Sequence, residues 1–394
     1  AELRPRGAVG RGGADPAPPA TTTRPMTHLL LFLAGLGALV GGAELLVRGA
    51  GKLAVSLGIS PLVVGLTVVA FATSSPELAV SVQSAWEGRT DLAVGNVVGS
   101  NVFNVLLILG LSAALAPLVV SRQVIRQEVP IMAGASLLLL VLAGDGTIGR
   151  LEAGAMFVLL AAYTAFLVVQ SRREQAGAAR AEVEAEIGAG SAWDRHWTVQ
   201  VALVVAGLAL LVAGSDWLVA AAIAFARSLG VSELVIGLTI VAAGTSAPEL
   251  AASVMATIRG ERDIAVGNVI GSNTFNILGV LGLSGLLAPQ ALVVAPSLVA
   301  FDLPVMMAVA LACLPVFFTG NRIARWEGFV FLAYYAAYAA YLGPHPQTGK
   351  VIPWAQWLGD FAPIESAGGL VFPRMMEIVQ MHTDLPPGAI EAQV

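Results

Sequence analysis

Residues 65–104, GLTVVAFATSSPELAVSVQSAWEGRTDLAVGNVVGSNVFN, align without a gap on residues 237–276, GLTIVAAGTSAPELAASVMATIRGERDIAVGNVIGSNTFN, with 25 identities in 40 positions. The offset is 172 throughout, and it extends back to Glu44 against Asp216 and forward to Gly110 against Gly282. A demand for apolarity alone would repeat hydropathy. It would not repeat Thr, Ser, Pro, Glu and Asn at fixed positions. The chain is a duplication, and its fold must be built from two copies of one unit.

Each copy is a membrane unit by composition. Of the 394 residues, 57% are hydrophobic and 12% charged, against about 25% charged in soluble chains. Ten apolar runs follow one another, near 28–48, 53–86, 91–116, 127–144, 151–171, 198–226, 232–258, 263–287, 292–317 and 325–343. Each is long enough to cross a hydrocarbon core about 30 Å thick as a helix. The predicted fold is an all-α polytopic membrane protein of about ten transmembrane helices in two five-helix repeats. Five is odd, so the second repeat enters the bilayer inverted, an arrangement typical of transporters with a midplane site made of broken helices.

The corresponding division is a disordered tail over 1–25, a first repeat over 26–171, a charged linker over 172–197, a second repeat over 198–343 and a tail over 344–394. In a ten-span chain, twelve Lys and Arg fall on the face that carries the linker. Five fall on the other, or nine with the arginines before Met26. The positive-inside rule then puts the linker in the cytoplasm and both termini outside, in a cell membrane. Trp354 and Trp357 suit the outer surface at headgroup depth, or else their tail is disordered.

Several function classes lose support. No basic stripe with interleaved aromatics appears, which argues against nucleic acid. The four histidines show no HExxH spacing, which argues against zinc. Cys313 stands alone and reads as a packing residue. No catalytic residue and no cofactor are expected.

The polar letters inside the apolar runs carry the chemistry. Pro76 and Pro248 lack an N–H and crowd the turn before them, which frees carbonyls near Ala72, Thr73, Gly244 and Thr245. Such carbonyls in hydrocarbon need protein, water or a cation. Thr73 and Glu77 are four residues apart, as are Thr245 and Glu249, Ser100 and Asn104, and Ser272 and Asn276. Each pair shares a helix face. Face to face they make a cage of carboxylate, amide, hydroxyl and carbonyl oxygen, a ligand set for hard cations such as Ca2+ and Na+. Two facing carboxylates repel unless cations compensate them, and Glu77 with Glu249 balances one Ca2+ or two Na+. The alternative for each is a helix-terminal carboxylate at the interface. Ser74, Ser75 and Ser246 either join the cage or bond back to their own helix. Ser75 is weakest, because its counterpart is Ala247.

Gly95, Gly99, Gly267 and Gly271 suit close helix contact or a backbone break at the ion. Glu44, Asp216, Glu128 and Asp302 read as interfacial anchors or helix N-terminal charges. Asn96, Asn101, Asn268 and Asn273 read as partners for backbone in the breaks. Asp91 and Asp263 read as helix caps.

TSSPE with GNVVGSNVFN, and TSAPE with GNVIGSNTFN, resemble the two alpha-repeats of the calcium/cation antiporter superfamily, which includes the sodium/calcium exchangers. The resemblance covers about residues 28–343. It implies ion sites between the second, third, seventh and eighth helices, with the first and sixth sliding as gates. It implies ligands at Thr73, Ser74, Glu77, Ser100 and Asn104, at Thr245, Ser246, Glu249, Ser272 and Asn276, and at the backbone oxygens of Ala70 and Ala242. One departure stands out. Exchangers of this kind commonly have Asp where this chain has Asn276, so two acidic ligands remain instead of three.

The expected function is a secondary antiporter that exports Ca2+ in exchange for Na+. The alternative is exchange for H+ on the same scaffold, carried by Glu77 and Glu249. A cation channel, which would need no counter-ion, is disfavoured by the inverted repeat. An intramembrane hydrolase is disfavoured because paired carboxylates come without a zinc site or an oxyanion hole. The expected partners are these ions and the lipid bilayer.

Overall fold

The computed structural model describes residues 24–178, 196–228, 242–318 and 320–342. The first repeat runs through α1 (Arg24–Leu57), α2 (Pro61–Thr73), α3 (Ser75–Trp86), α4 (Thr90–Leu115) and α5 (Val124–Asp145) to α6 (Arg150–Ala178). The second runs through α7 (Trp197–Ser228), α8 (Ala242–Thr245), α9 (Ala247–Ile258), α10 (Arg262–Leu287) and α11 (Leu298–Phe318) to α12 (Arg325–Leu342).

Among the described residues, seven helices are long and apolar enough to cross a bilayer, and the bent α2–α3 pair would be an eighth. The 12-residue α9 is shorter than that standard. The fold is therefore mostly helical with seven or eight candidate spans. Residues 1–23 of the first tail, the whole of the last tail, most of the linker and residues 232–241 of the seventh run lie outside the described residues. The helix of the fifth apolar run, α6, continues to Ala178, into the stretch expected as linker.

The apolar runs are sorted by burial. In the most apolar stretch of α10, 100% of residues are buried, and in that of α4, 78%; the corresponding stretch of α6 is 22% buried. So α4 and α10 form the centre, while α6 turns most of its surface outward. Two short ladders tie the loops of one repeat to the other. In one, Leu118 and Val119 pair with Ile323 and Arg322. In the other, Thr147 and Ile148 pair with Val293 and Leu292.

Without water to drive burial, membrane helices associate where small residues let backbones touch. The α1–α7 pair follows this along its length. A Cβ built at Gly35 would lie 2.8 Å from the Gly214 carbonyl, one at Gly42 2.8 Å from that of Gly207, and one at Gly49 2.9 Å from that of Gln200. The contacts descend one helix as they climb the other, so the pair is antiparallel with a seven-residue rhythm. The same device joins α2 to α10, where a Cβ at Gly271 would fall 2.5 Å from the Leu66 carbonyl and one at Gly267 2.9 Å from that of Leu62.

Several expectations are corrected. Asp91 and Asp263 sit in the first turn of their helices, after Arg89 and Glu261 at the cap positions, and make no side-chain cap bond. Glu128 and Asp302 lie near the starts of α5 and α11, as expected of helix N-terminal charges, but they are buried, 0% and 9% exposed. Burying a carboxyl group requires donors, and these two have them. Glu128 accepts from Gln123 at 3.0 Å, Gln127 at 2.7 Å and the Tyr163 hydroxyl of α6 at 2.5 Å. Asp302 accepts from the Tyr338 hydroxyl of α12 at 2.8 Å. Glu44 makes an ion pair with Arg259 at the end of α9, whereas Asp216 is exposed.

Candidate cation site

The helix break expected around FATSSPELAV falls at Ser74, whose φ of −81° and ψ of 8° leave the helical region. There α2 and α3 meet at 47°. Ser246 breaks the other copy in the same way, with φ −89° and ψ 8°. Pro76 and Pro248 lie in the first turn of the new helices, where a missing N–H is no loss. The carbonyl one turn before Pro248, that of Gly244, is taken by a neighbour. The Ser215 hydroxyl of α7 donates to it at 2.5 Å, so this oxygen already has one partner from protein.

The two breaks face each other and exchange partners. The Ser74 hydroxyl donates to Glu249 Oε1 at 2.8 Å, and the Ser246 hydroxyl donates to Glu77 Oε1 at 2.8 Å. Because 74 and 77 become 246 and 249 under the repeat offset, one bond is the two-fold image of the other. Ser246 Oγ also lies 3.2 Å from Ser100 Oγ. The Thr73 hydroxyl donates to Asn268 Oδ1 at 3.1 Å. Ser75, in contrast, points out and bonds back to the Phe71 carbonyl at 3.0 Å.

Beside the glutamates, four asparagines of α4 and α10 close a ring. Asn101 Nδ2 donates to the Asn273 carbonyl and Asn273 Nδ2 to the Asn101 carbonyl, each at 3.2 Å. Asn104 Nδ2 donates to Asn273 Oδ1 at 3.0 Å, and Asn276 Nδ2 to Asn101 Oδ1 at 3.1 Å. The donors of Asn104 and Asn276 are thus turned toward the ring. Their Oδ1 atoms are left, buried and unpartnered among the described residues, together with Glu77 Oε2, Glu249 Oε2 and Ser272 Oγ. Buried polar atoms normally find a partner. These five oxygens, on the residues that follow the two breaks and on the facing helices α4 and α10, form a ligand set that suits a hard cation.

Each repeat also starts a wide π-helical turn at this level, at Asn104 and Asn276, a feature frequent at functional sites. Asn96 Nδ2 donates to the Glu77 carbonyl at 3.3 Å and to Ser81 Oγ at 3.0 Å. Asn268 does the same to the Glu249 carbonyl at 3.3 Å and Ser253 Oγ at 2.8 Å. All four asparagines expected to bond backbone do so.

Of the oxygens inferred from sequence, hydrogen bonds join Ser74 to Glu249 and Ser246 to Glu77 and Ser100, the ring holds Asn104 and Asn276, and Ser272 is buried; each of these eight residues is at most 5% exposed. Thr73 joins through Asn268. The Ala70 carbonyl accepts the Ser74 N–H at 3.0 Å within its helix. Ala242 opens α8 and Thr245 ends it. Sequence reasoning found Asn101 and Asn273 as backbone partners but missed that their Oδ1 atoms also position Asn276 and Asn104, for which the only signal was their place three residues before those two. Among the described residues no group of three His, Cys, Asp or Glu gathers, so the pocket's charge comes from two glutamates alone.

Residues 27–169 and 199–343 match the sodium/calcium exchanger protein family. The chain is 41% identical over 316 residues to the putative antiporter CaxA of Alkalimonas amylolytica, covering 78% of this chain and 96% of that protein. It is 36% identical over 345 residues to the sodium/calcium exchanger MaX1 of Methanosarcina acetivorans, covering 80% and 98%. Its fold is similar to that of the sodium-calcium exchanger NCX_Mj, with a TM-score of 0.69 at 28% identity over 80% of this chain and 98% of that one.

Proposed function

Because the chain belongs to the sodium/calcium exchanger protein family, we propose that it exports Ca2+ from the cytoplasm in exchange for Na+, at a site near the bilayer midplane. The ligands are the side-chain oxygens of Thr73, Ser74, Glu77, Ser100 and Asn104 and of Thr245, Ser246, Glu249, Ser272 and Asn276, with the carbonyls of Ala70 and Ala242. The observation that supports this best is the set of five unpartnered buried oxygens on Glu77, Asn104, Glu249, Ser272 and Asn276. Ca2+ takes six to eight oxygens in a flexible shell. The remaining carboxylate oxygens and the serines beside them complete that number.

The site alternates between the two faces on a scaffold of ten spans in two inverted repeats. The α2–α3 pair makes the second span, and α8 and α9 belong to the seventh. The linker is cytoplasmic and both termini are outside. Exposed Trp197 and Trp326 then lie at the inner interface and exposed Trp86 and Trp217 at the outer one, as aromatic belts do.

The deciding experiment is uptake of radioactive Ca2+ by proteoliposomes holding the purified full chain. Sodium-loaded vesicles in sodium-free medium are expected to accumulate Ca2+, and vesicles with only a pH gradient are not. Uptake driven by the pH gradient and indifferent to sodium would assign the site to Ca2+/H+ exchange instead.

A further inference from the structure

We propose that the asparagine ring fixes the charge of the transport site at two, so that one Ca2+ exchanges for two monovalent cations and the cycle moves no net charge. This rests on the antiport reading of the same site. Among the described residues, the buried acids are Glu77, Glu249, Glu128, Asp302 and Glu327, and no Lys or Arg is buried. Glu128 and Asp302 are held by tyrosines of α6 and α12. Glu327 accepts the Ala324 N–H. Only Glu77 and Glu249 face the pocket.

The ring explains why no third charge enters. Asn276 Nδ2 must donate, because the atom it meets is Asn101 Oδ1 at 3.1 Å. Asn101 cannot turn to help, since its own amide nitrogen is committed to the Asn273 carbonyl at 3.2 Å. A carboxylate at 276 would set oxygen against oxygen in a buried place, with no donor to relieve it. The same holds for Asn104 against Asn273 Oδ1. Both positions are built for a neutral ligand that presents one oxygen to the ion and its donors to the ring.

With one Ca2+ or two monovalent cations the pocket is neutral, and with three it carries one positive charge. A neutral occluded pocket crosses the membrane field without electrical work. One net charge per cycle would instead shift the equilibrium Ca2+ ratio ~50-fold per 100 mV.

The test uses proteoliposomes of the full chain with potential clamped by potassium and valinomycin at 0, −100 and +100 mV. The readout is the steady-state Ca2+ ratio against an imposed sodium ratio. The expected result is a Ca2+ ratio that follows the square of the sodium ratio and does not move with potential. A cubic dependence, or a shift of tens of fold per 100 mV, overturns the proposal. If sodium drives nothing and a pH gradient does, the sodium reading fails, and the same clamp counts the protons, with two per Ca2+ and no potential dependence expected. Asn276→Asp is expected either to acquire potential dependence or to lose transport as the ring opens. Wild-type transport by that variant, still indifferent to potential, overturns the role of the ring.

Discussion

Removing one carboxylate from the Glu77 and Glu249 pair acts in opposite directions on the empty and the loaded protein. Empty, it relieves the repulsion of two buried like charges, so the melting temperature of Glu77→Gln in detergent is expected to stay level or rise. Loaded, it leaves one charge of Ca2+ uncompensated in a buried place, a loss of about 3–5 kcal/mol. Ca2+ uptake should therefore fall by ~100-fold or more in a protein that still folds. Uptake at the wild-type level would refute the ligand assignment. Asn101→Ala tests positioning, since it removes the acceptor for Asn276 and a donor to Asn273. Orienting partners of this kind are worth 10–100-fold in ion affinity, and the expected signature is a higher Ca2+ concentration for half-maximal uptake with a maximal rate that falls less. Ser75→Ala is the control on the same break. Its hydroxyl bonds only the Phe71 carbonyl one turn back, on the exposed side, so a change beyond about 0.5 kcal/mol in stability is not expected, and uptake should match wild type.

At the level of helices, the site is held by contacts that tolerate no added atom. A methyl at Gly271 would sit 2.5 Å from the Leu66 carbonyl and 2.6 Å from Leu66 Cα, so Gly271→Ala must push α2 from α10. Overpacking of this kind costs about 1–3 kcal/mol. Gly134→Ala on the exposed face of α5 meets nothing and should be neutral or gain up to about 1 kcal/mol from helix propensity. Thermal melts of the two variants in one detergent compare them directly, and equal melting temperatures would show that the close approach is not needed. The doubled motif and its helix breaks were legible because burial explains apolar letters but not a recurring Thr-Ser-x-Pro-Glu. The Asn101–Asn273 bridge was not, because it joins residues 172 positions apart and nothing local distinguishes it from an asparagine bonding its own helix. The burial of Glu128 and Asp302 was hidden for a related reason. An acid before a proline reads as the start of a helix, and the tyrosines that make their burial tolerable lie 35 and 36 residues further on. The fate of the Gly244 carbonyl was hidden in the same way, since its donor, Ser215, has Ala43 as its counterpart in the first copy.

Over the whole molecule, the repeat makes a demand that no single helix does. If the two units are inverted, each connecting turn and its counterpart 172 positions on lie on opposite faces of the membrane. Arg89 and Glu261 are such a pair, both exposed, in the short turns before α4 and α10. Cys313 is the lone cysteine, and it is buried, so the wild-type chain provides a quiet background for a membrane-impermeant thiol reagent. On that background, Arg89→Cys is expected to label in intact cells. Glu261→Cys should label only after the membrane is opened, because the excess of basic residues assigns its face to the cytoplasm. Labelling of both from outside would remove the inverted repeat, and with it the midplane site between the two breaks. Labelling in the reverse order would keep the inversion and the site but turn the molecule over, placing the linker outside. The reciprocal bonds of Ser74 to Glu249 and Ser246 to Glu77 relate the two breaks by a two-fold operation. An axis lying in the membrane plane carries each copy to the opposite face, and an axis along the normal leaves both on the same face. The two cysteines distinguish these axes, and only the first gives the site a symmetric route to each side.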